Sequence, residues 1–287
     1  MARRTGRQRF ISPEAESRLM SRIPFGIPGL DQDFDGIPQG SFVLLTGEVD
    51  SGVDEFAYTS TAMIQMARDE PEVFRSYNDL EVKGKEIPEK VHYISLERHE
   101  DLILEKLRSV LNEHQYNALV NNMNFVDLTD EYFDSMPLSL PAEEVEEELG
   151  YHEIVEKIGE YLEENASGDI VLIDSVTSLF KMAEFGLGRK RVLAFLTWLA
   201  DASRQWGGMI YAVNHTRPTG VRDDPVLAAT PDGIMYFSVS DIGGGFHRKM
   251  YMGSFRGTLS KSQERIKIYD ASISGRGFQV STVNEVI

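Results

Sequence analysis

Apolar positions along the chain fall into two patterns. Phe42-Val43-Leu44-Leu45, Val91-His92-Tyr93-Ile94-Ser95-Leu96, Ile170-Val171-Leu172-Ile173 and Met209-Ile210-Tyr211-Ala212-Val213 are short, nearly unbroken runs, as expected of strands buried on both faces. Between them the spacing changes to three and four. Phe56, Ala57, Ser60, Met63, Ile64 and Ala67 predict a helix over 54–68, and Leu102, Ile103, Leu107, Val110 and Leu111 predict one over 100–114. Tyr151, Ile154, Val155, Ile158, Tyr161 and Leu162 trace an apolar stripe within 143–164, and Val192, Phe195, Leu196 and Leu199 one within 189–206. Such alternation predicts an α/β fold with a mainly parallel sheet between helices. Met123–Asp127 adds a short strand. From Gly233 the period becomes two, over 234–239, 249–255, 265–271 and 277–283, which predicts an antiparallel β extension at the C-terminal end. Three stretches read as irregular. These are the Pro- and Gly-rich lead-in 23–40, a polar surface excursion over 69–90, and 128–141 with Tyr132, Phe133, Met136 and Leu138 over the sheet.

Composition narrows the function classes. The 287 residues carry a net charge of −17, which disfavours wrapping nucleic acid, since that needs basic surface to displace counterions. Arginine outnumbers lysine, and such acidity with few lysines also suits a salt-rich cytoplasm. The chain has no cysteine, which excludes disulfide and thiolate chemistry and fits a cytoplasmic location. No stretch reaches the length of a membrane span, so no membrane insertion is expected. The glutamates of 143–164 read as a solvated helix face, and the histidines show no metal-ligand spacing. Residues 1–22 read as an Arg-rich flexible tail and 23–287 as a single domain.

One stretch carries chemistry. Gly47-Glu48-Val49-Asp50-Ser51-Gly52-Val53-Asp54 follows an apolar strand and opens an amphipathic helix, the layout of a phosphate-binding P-loop. A P-loop ends Gly-Lys-Ser/Thr. Here Val53 stands where the phosphate-binding lysine belongs, and Asp54 where the Mg²⁺-binding hydroxyl belongs. Glu48, Asp50, Asp54 and Glu55 surround the loop with acids, and no basic residue occurs between Gly40 and Arg68. A carboxylate about 6 Å from a phosphate charge costs roughly 3 kcal/mol at an effective dielectric near 20. Asp50 or Ser51 is expected to cap the following helix, so that the protein's own carboxylates take the place of phosphate.

The lead-in makes the pattern specific. Gly26-Ile27-Pro28-Gly29-Leu30-Asp31 with the turn Gly36-Ile37-Pro38-Gln39-Gly40 resembles the segment preceding the first core strand of KaiC-like proteins in the RecA superfamily. Ile170-Val171-Leu172-Ile173-Asp174 resembles their Walker B strand, and Ile273 to Val280 their closing hairpin. Within that superfamily the chain looks most like the archaeal, chiefly haloarchaeal, HTR-like group, on Glu55-Phe56-Ala57-Tyr58-Thr59-Ser60 and Phe255-Arg256-Gly257-Thr258-Leu259-Ser260.

The resemblance implies site roles. Gly47, Glu48, Val49, Asp50, Ser51, Gly52, Val53 and Asp54 would be the remnant of a nucleotide site, joined by Arg256 reaching toward a neighbouring subunit's nucleotide. Asp174 would hold Mg²⁺, with Asp54 as a second ligand, and Glu97 would orient the attacking water, although Arg98 replaces the second glutamate of the family's pair. Asn214-His215-Thr216 lie where the superfamily senses a γ-phosphate. ATP and Mg²⁺ are therefore expected to bind weakly or not at all. The expected function is a non-hydrolysing regulatory or signalling scaffold, a homo-oligomer with a signalling protein as partner. An active ATPase with a non-standard loop is the alternative, and a recombination-type DNA-binding protein a weaker one.

Overall fold

The computed structural model describes residues 21–78, 87–135, 151–184, 188–216, 224–242, 245–255 and 267–282. Its strands are β1 (Arg22–Ile23), β2 (Ile37–Pro38), β3 (Ser41–Gly47), β4 (Val91–Ser95), β5 (Met123–Asp127), β6 (Ile170–Asp174), β7 (Met209–His215), β8 (Gly233–Ile242), β9 (Gly245–Phe255), β10 (Ile268–Ser274) and β11 (Gly277–Thr282). Its helices are α1 (Pro28–Asp33), α2 (Val53–Asp69), α3 (Pro71–Tyr77), α4 (Glu100–Val110), α5 (Glu113–Val120), α6 (Thr129–Asp134), α7 (Tyr151–Asn165), α8 (Val176–Met182), α9 (Arg189–Trp206) and α10 (Pro225–Ala229).

Nine strands form one sheet in the order β11-β10-β9-β8-β3-β7-β6-β4-β5. From β8 to β5 every neighbouring pair is parallel, whereas β8 to β11 run antiparallel. The expected α/β architecture with its antiparallel C-terminal extension is therefore the observed one.

Strand pleating explains the unbroken apolar runs. Val43, Leu45, Tyr93, Leu172, Tyr211 and Phe237 enter one core, packed beneath α2, α4 and α5. Phe42, Leu44, Ile94, Ile173, Ile210 and Ile234 enter the other, beneath α7, α8 and α9. Successive side chains point to opposite faces, so a central strand covered on both sides is apolar throughout. Helix α2 is buried nearly all round, not on one face, because α5, α3 and the closing hairpin cover the sides that the sheet leaves open. Phe278 meets Phe56 edge-on with ring centres 5.5 Å apart, and the Phe278 N–H donates to Thr59 Oγ1 at 2.9 Å.

Local expectations need correction in four places. The lead-in contains α1, and 69–90 contains α3; each starts with proline in its first turn, where a missing N–H costs nothing. The helix expected to run to His114 stops at Val110, because Asn112 and Gln115 form a capping box that starts α5. Leu102, expected inward, is 52% exposed. In 128–141, Thr129–Asp134 is helical; Tyr132 is buried and Phe133 largely exposed, while Met136 and Leu138 lie outside the described residues. Arg256 and residues 1–20 of the expected 1–22 tail also lie outside them, whereas Arg22 is not tail but pairs with Pro38 between β1 and β2. Among the described residues no helix is long and apolar enough to cross a membrane.

Candidate functional site

The P-loop-like turn joins β3 to α2 at the ends of the parallel strands, where open α/β sheets bind ligands. Within it Ser51 N–H donates to Glu48 O at 3.1 Å. Asp50 adopts the left-handed conformation with φ of 65°. Gly52 follows at φ 93°, and a side chain there would meet the Phe278 ring at 2.9 Å. The helix N-cap is Gly52, with no side-chain cap. This corrects the expectation that Asp50 or Ser51 caps α2. Val49 is 71% exposed and Asp50 is exposed, so the loop tip faces solvent; its underside is held by Arg248 of β9, whose Nε donates to Asp50 O at 2.8 Å.

Only one of the loop's acids is drawn inward. Asp54 is buried and takes an ion pair from Lys106 Nζ of α4. Arg98, just beyond β4, places one nitrogen, Nη2, 3.8 Å from Asp54 Oδ2 and 3.5 Å from Asp174 Oδ1. That single nitrogen lies between the two carboxylates. His215 Nε2, at the end of β7, is 3.2 Å from Asp54 Oδ1. Tyr93 donates to Asp174 Oδ2 at 2.7 Å, and its hydroxyl lies 3.2 Å from that of Tyr58, under Lys106.

Burial and charge set the ionisation here. Desolvation drives the Asp174 carboxyl above the ordinary range, with Arg98 opposing and Asp54 adding to the rise. Burial raises the Tyr58 and Tyr93 hydroxyls well above theirs, and the Asp174 charge pushes both further. Burial works against the Arg98 charge, but Asp174 first among its neighbours more than offsets it, so the guanidinium stays charged. Ser51 Oγ and His215 Nδ1 are buried without a hydrogen-bond partner among the described residues, and Asp54 Oδ1 and His215 Nε2, although 3.2 Å apart, do not form a hydrogen bond with each other or with another described residue.

The remaining positions separate. Glu97 accepts from Tyr132 at 2.8 Å and pairs with Lys181 Nζ at 2.7 Å. Partial burial raises its carboxyl, but Lys181 and Tyr132 outweigh this and hold it below the usual range. A carboxylate so held is a weaker base. Asn214 lies 3.4 Å from Thr46 Oγ1 and accepts from Thr177 at 3.3 Å, as a strand-end tie. Among the described residues no group of three or more histidine, aspartate or glutamate side chains is arranged to hold a metal ion. The structure thus brings Asp54, Arg98, Asp174 and His215 together and gives Glu97 other partners. Lys106, Tyr58 and Tyr93 were missed from sequence. Lys106 is 52 residues from Asp54 and has no local signal, since only the packing of α4 beside α2 joins them.

No family model matches the chain, and no curated protein matches it. Among solved structures it is similar to a KaiC-like protein from the hyperthermophilic archaeon Pyrococcus horikoshii. The TM-score is 0.60 at 16% identity, over 91% of this chain and 98% of that one. The chain therefore has the KaiC-like, RecA-type fold.

Proposed function

We propose that this protein is a RecA-superfamily scaffold that regulates or signals without hydrolysing nucleotide. The observation that carries this reading is Asp54: it replaces the Mg²⁺-binding hydroxyl and is already paired with Lys106 and Arg98. Val53 supplies no charge to phosphate, and Glu97 is committed to Lys181. The archaeal HTR-like affinity, a homo-oligomeric assembly and a signalling partner belong to the same reading, and nucleic acid does not suit its acidic charge. As placed, Asp54 and Asp174 do not make a magnesium site, because each already faces a cation.

Calorimetric titration of the full chain with ATP and Mg²⁺ in high salt tests the proposal. The expected result is no binding tighter than about 10 μM, roughly −7 kcal/mol. One observation favours a second reading: Lys106 brings an ammonium to the loop from another element, as a displaced phosphate ligand would. Turnover abolished by Lys106→Ala and Asp174→Asn would establish that active-ATPase reading instead.

A further inference from the structure

The loop end of α2 and the end of β6 are the two places from which a P-loop protein holds its divalent cation, by hydroxyl and by aspartate. Here both ends present carboxylates, Asp54 and Asp174, at 7% and 5% exposure. Two buried carboxylates facing one centre repel each other unless a cation lies between them. Arg98 Nη2 is that cation, at ion-pair distance from both. Lys106 supplies a second positive charge on Asp54, so two carboxylates meet two permanent cations.

We propose that Arg98 is a built-in substitute for the divalent cation, and that the Asp54–Arg98–Asp174 bridge, backed by Lys106, excludes metal by occupying its position. The proposal rests on reading Gly47–Asp54 as a descendant of a P-loop. Two departures from that motif then become one change. An aspartate in place of the hydroxyl would add repulsion by itself, and an arginine after Glu97 would leave a guanidinium beside a half-empty site. Together they neutralise each other. Tyr93 completes the bridge by donating to the Asp174 oxygen that Arg98 does not face.

The test uses metal alone, without nucleotide. Thermal unfolding of the full chain in high salt is followed with chelator and with millimolar Mn²⁺, for wild type, Arg98→Lys, Arg98→Gln and Arg98→Gln/Lys106→Gln. Wild type should not respond to Mn²⁺. The double variant should melt lower in chelator and gain at least about 3 °C from Mn²⁺, as a newly opened site would. That gain should vanish when Asp54→Asn and Asp174→Asn are added. Arg98→Lys should recover much of the lost stability and stay blind to metal.

If Arg98→Gln/Lys106→Gln does not fold, Arg98→Gln/Asp174→Asn decides. The bridge requires this pair to be more stable than Arg98→Gln alone, and equal or lower stability would overturn it. A wild type that responds to Mn²⁺ as strongly as the double variant overturns it too, as does a double variant that neither loses stability nor gains metal. Tight ATP binding by wild type alongside the expected metal results would remove the scaffold reading and leave the cation substitute standing. Absent ATP binding with failed metal results would do the reverse.

Discussion

Strand β6 has an aspartate at each end, and the two are treated in opposite ways. Asp169, just before the strand, accepts the backbone N–H groups of Glu89 and Lys90 at 3.2 and 2.9 Å and lies 3.2 Å from His92 Nε2. The other His92 nitrogen lies 2.8 Å from the Tyr161 hydroxyl. Everything at that end is settled by short-range hydrogen bonds. Asp174, at the other end, faces Arg98 and Tyr93 and is opposed by the like charge of Asp54, itself paired with Lys106, and among the described residues the cluster leaves Ser51, Asp54 and His215 atoms without hydrogen bonds. Asp169 is satisfied by backbone donors and one imidazole that can be neutral, and Asp174 by a guanidinium and a phenol. The buried charges at the Asp174 end are gathered where open α/β sheets bind ligands, which is why the proposed function is placed there.

The largest effect is expected from rebuilding the loop. Val53→Lys with Asp54→Thr replaces repulsion by attraction and releases Lys106 toward phosphate. Each relieved charge is worth about 3 kcal/mol, so ATP affinity measured by calorimetry should rise more than a hundredfold. A variant that folds normally and still ignores ATP would show that the turn does not adopt a phosphate cradle. Next, Arg98→Gln should cost about 2–3 kcal/mol in urea unfolding. That is less than the roughly 3–5 kcal/mol of breaking a fully buried pair, because Arg98 still reaches water. Unchanged stability there would make the two ends of β6 equivalent.

Asp169→Ala strands two backbone donors and His92 and should cost about 1–2 kcal/mol, with no effect on ATP or metal binding. Any ligand effect from that end would break the contrast. Smallest is the acid response. Lys181 and Tyr132 hold Glu97 below its ordinary range. Its contribution is therefore fully present above the usual carboxylate pKa and is lost as pH falls through the lowered value. Glu97→Gln should be less stable than wild type at neutral pH by under about 1 kcal/mol, with the gap closing as pH falls through that lowered value. A gap that does not close on acidification would show that Glu97 is not held by Lys181 and Tyr132.

The sequence by itself determined the strands and the long helices, because apolar runs and three-four spacing are local records of burial. Helix α9 was legible to the residue, and β6 to its final aspartate. The reading of Val53 and Asp54 as an altered loop end also comes from the sequence, since it rests on the positions that a motif defines. Helices α1, α3 and α5 were hidden because proline reads as a breaker when it is in fact a first-turn residue, and because a capping box interrupted an otherwise continuous stripe. What Asp54 does was not legible at all. Its partners come from after β4, from α4 and from the end of β7, and the register of three strands sets their distances. Only tertiary structure could decide whether that carboxylate would cap its own helix or be neutralised from across the sheet. A buried charge takes whatever opposite charge the fold brings within a few ångströms, however far away in the chain.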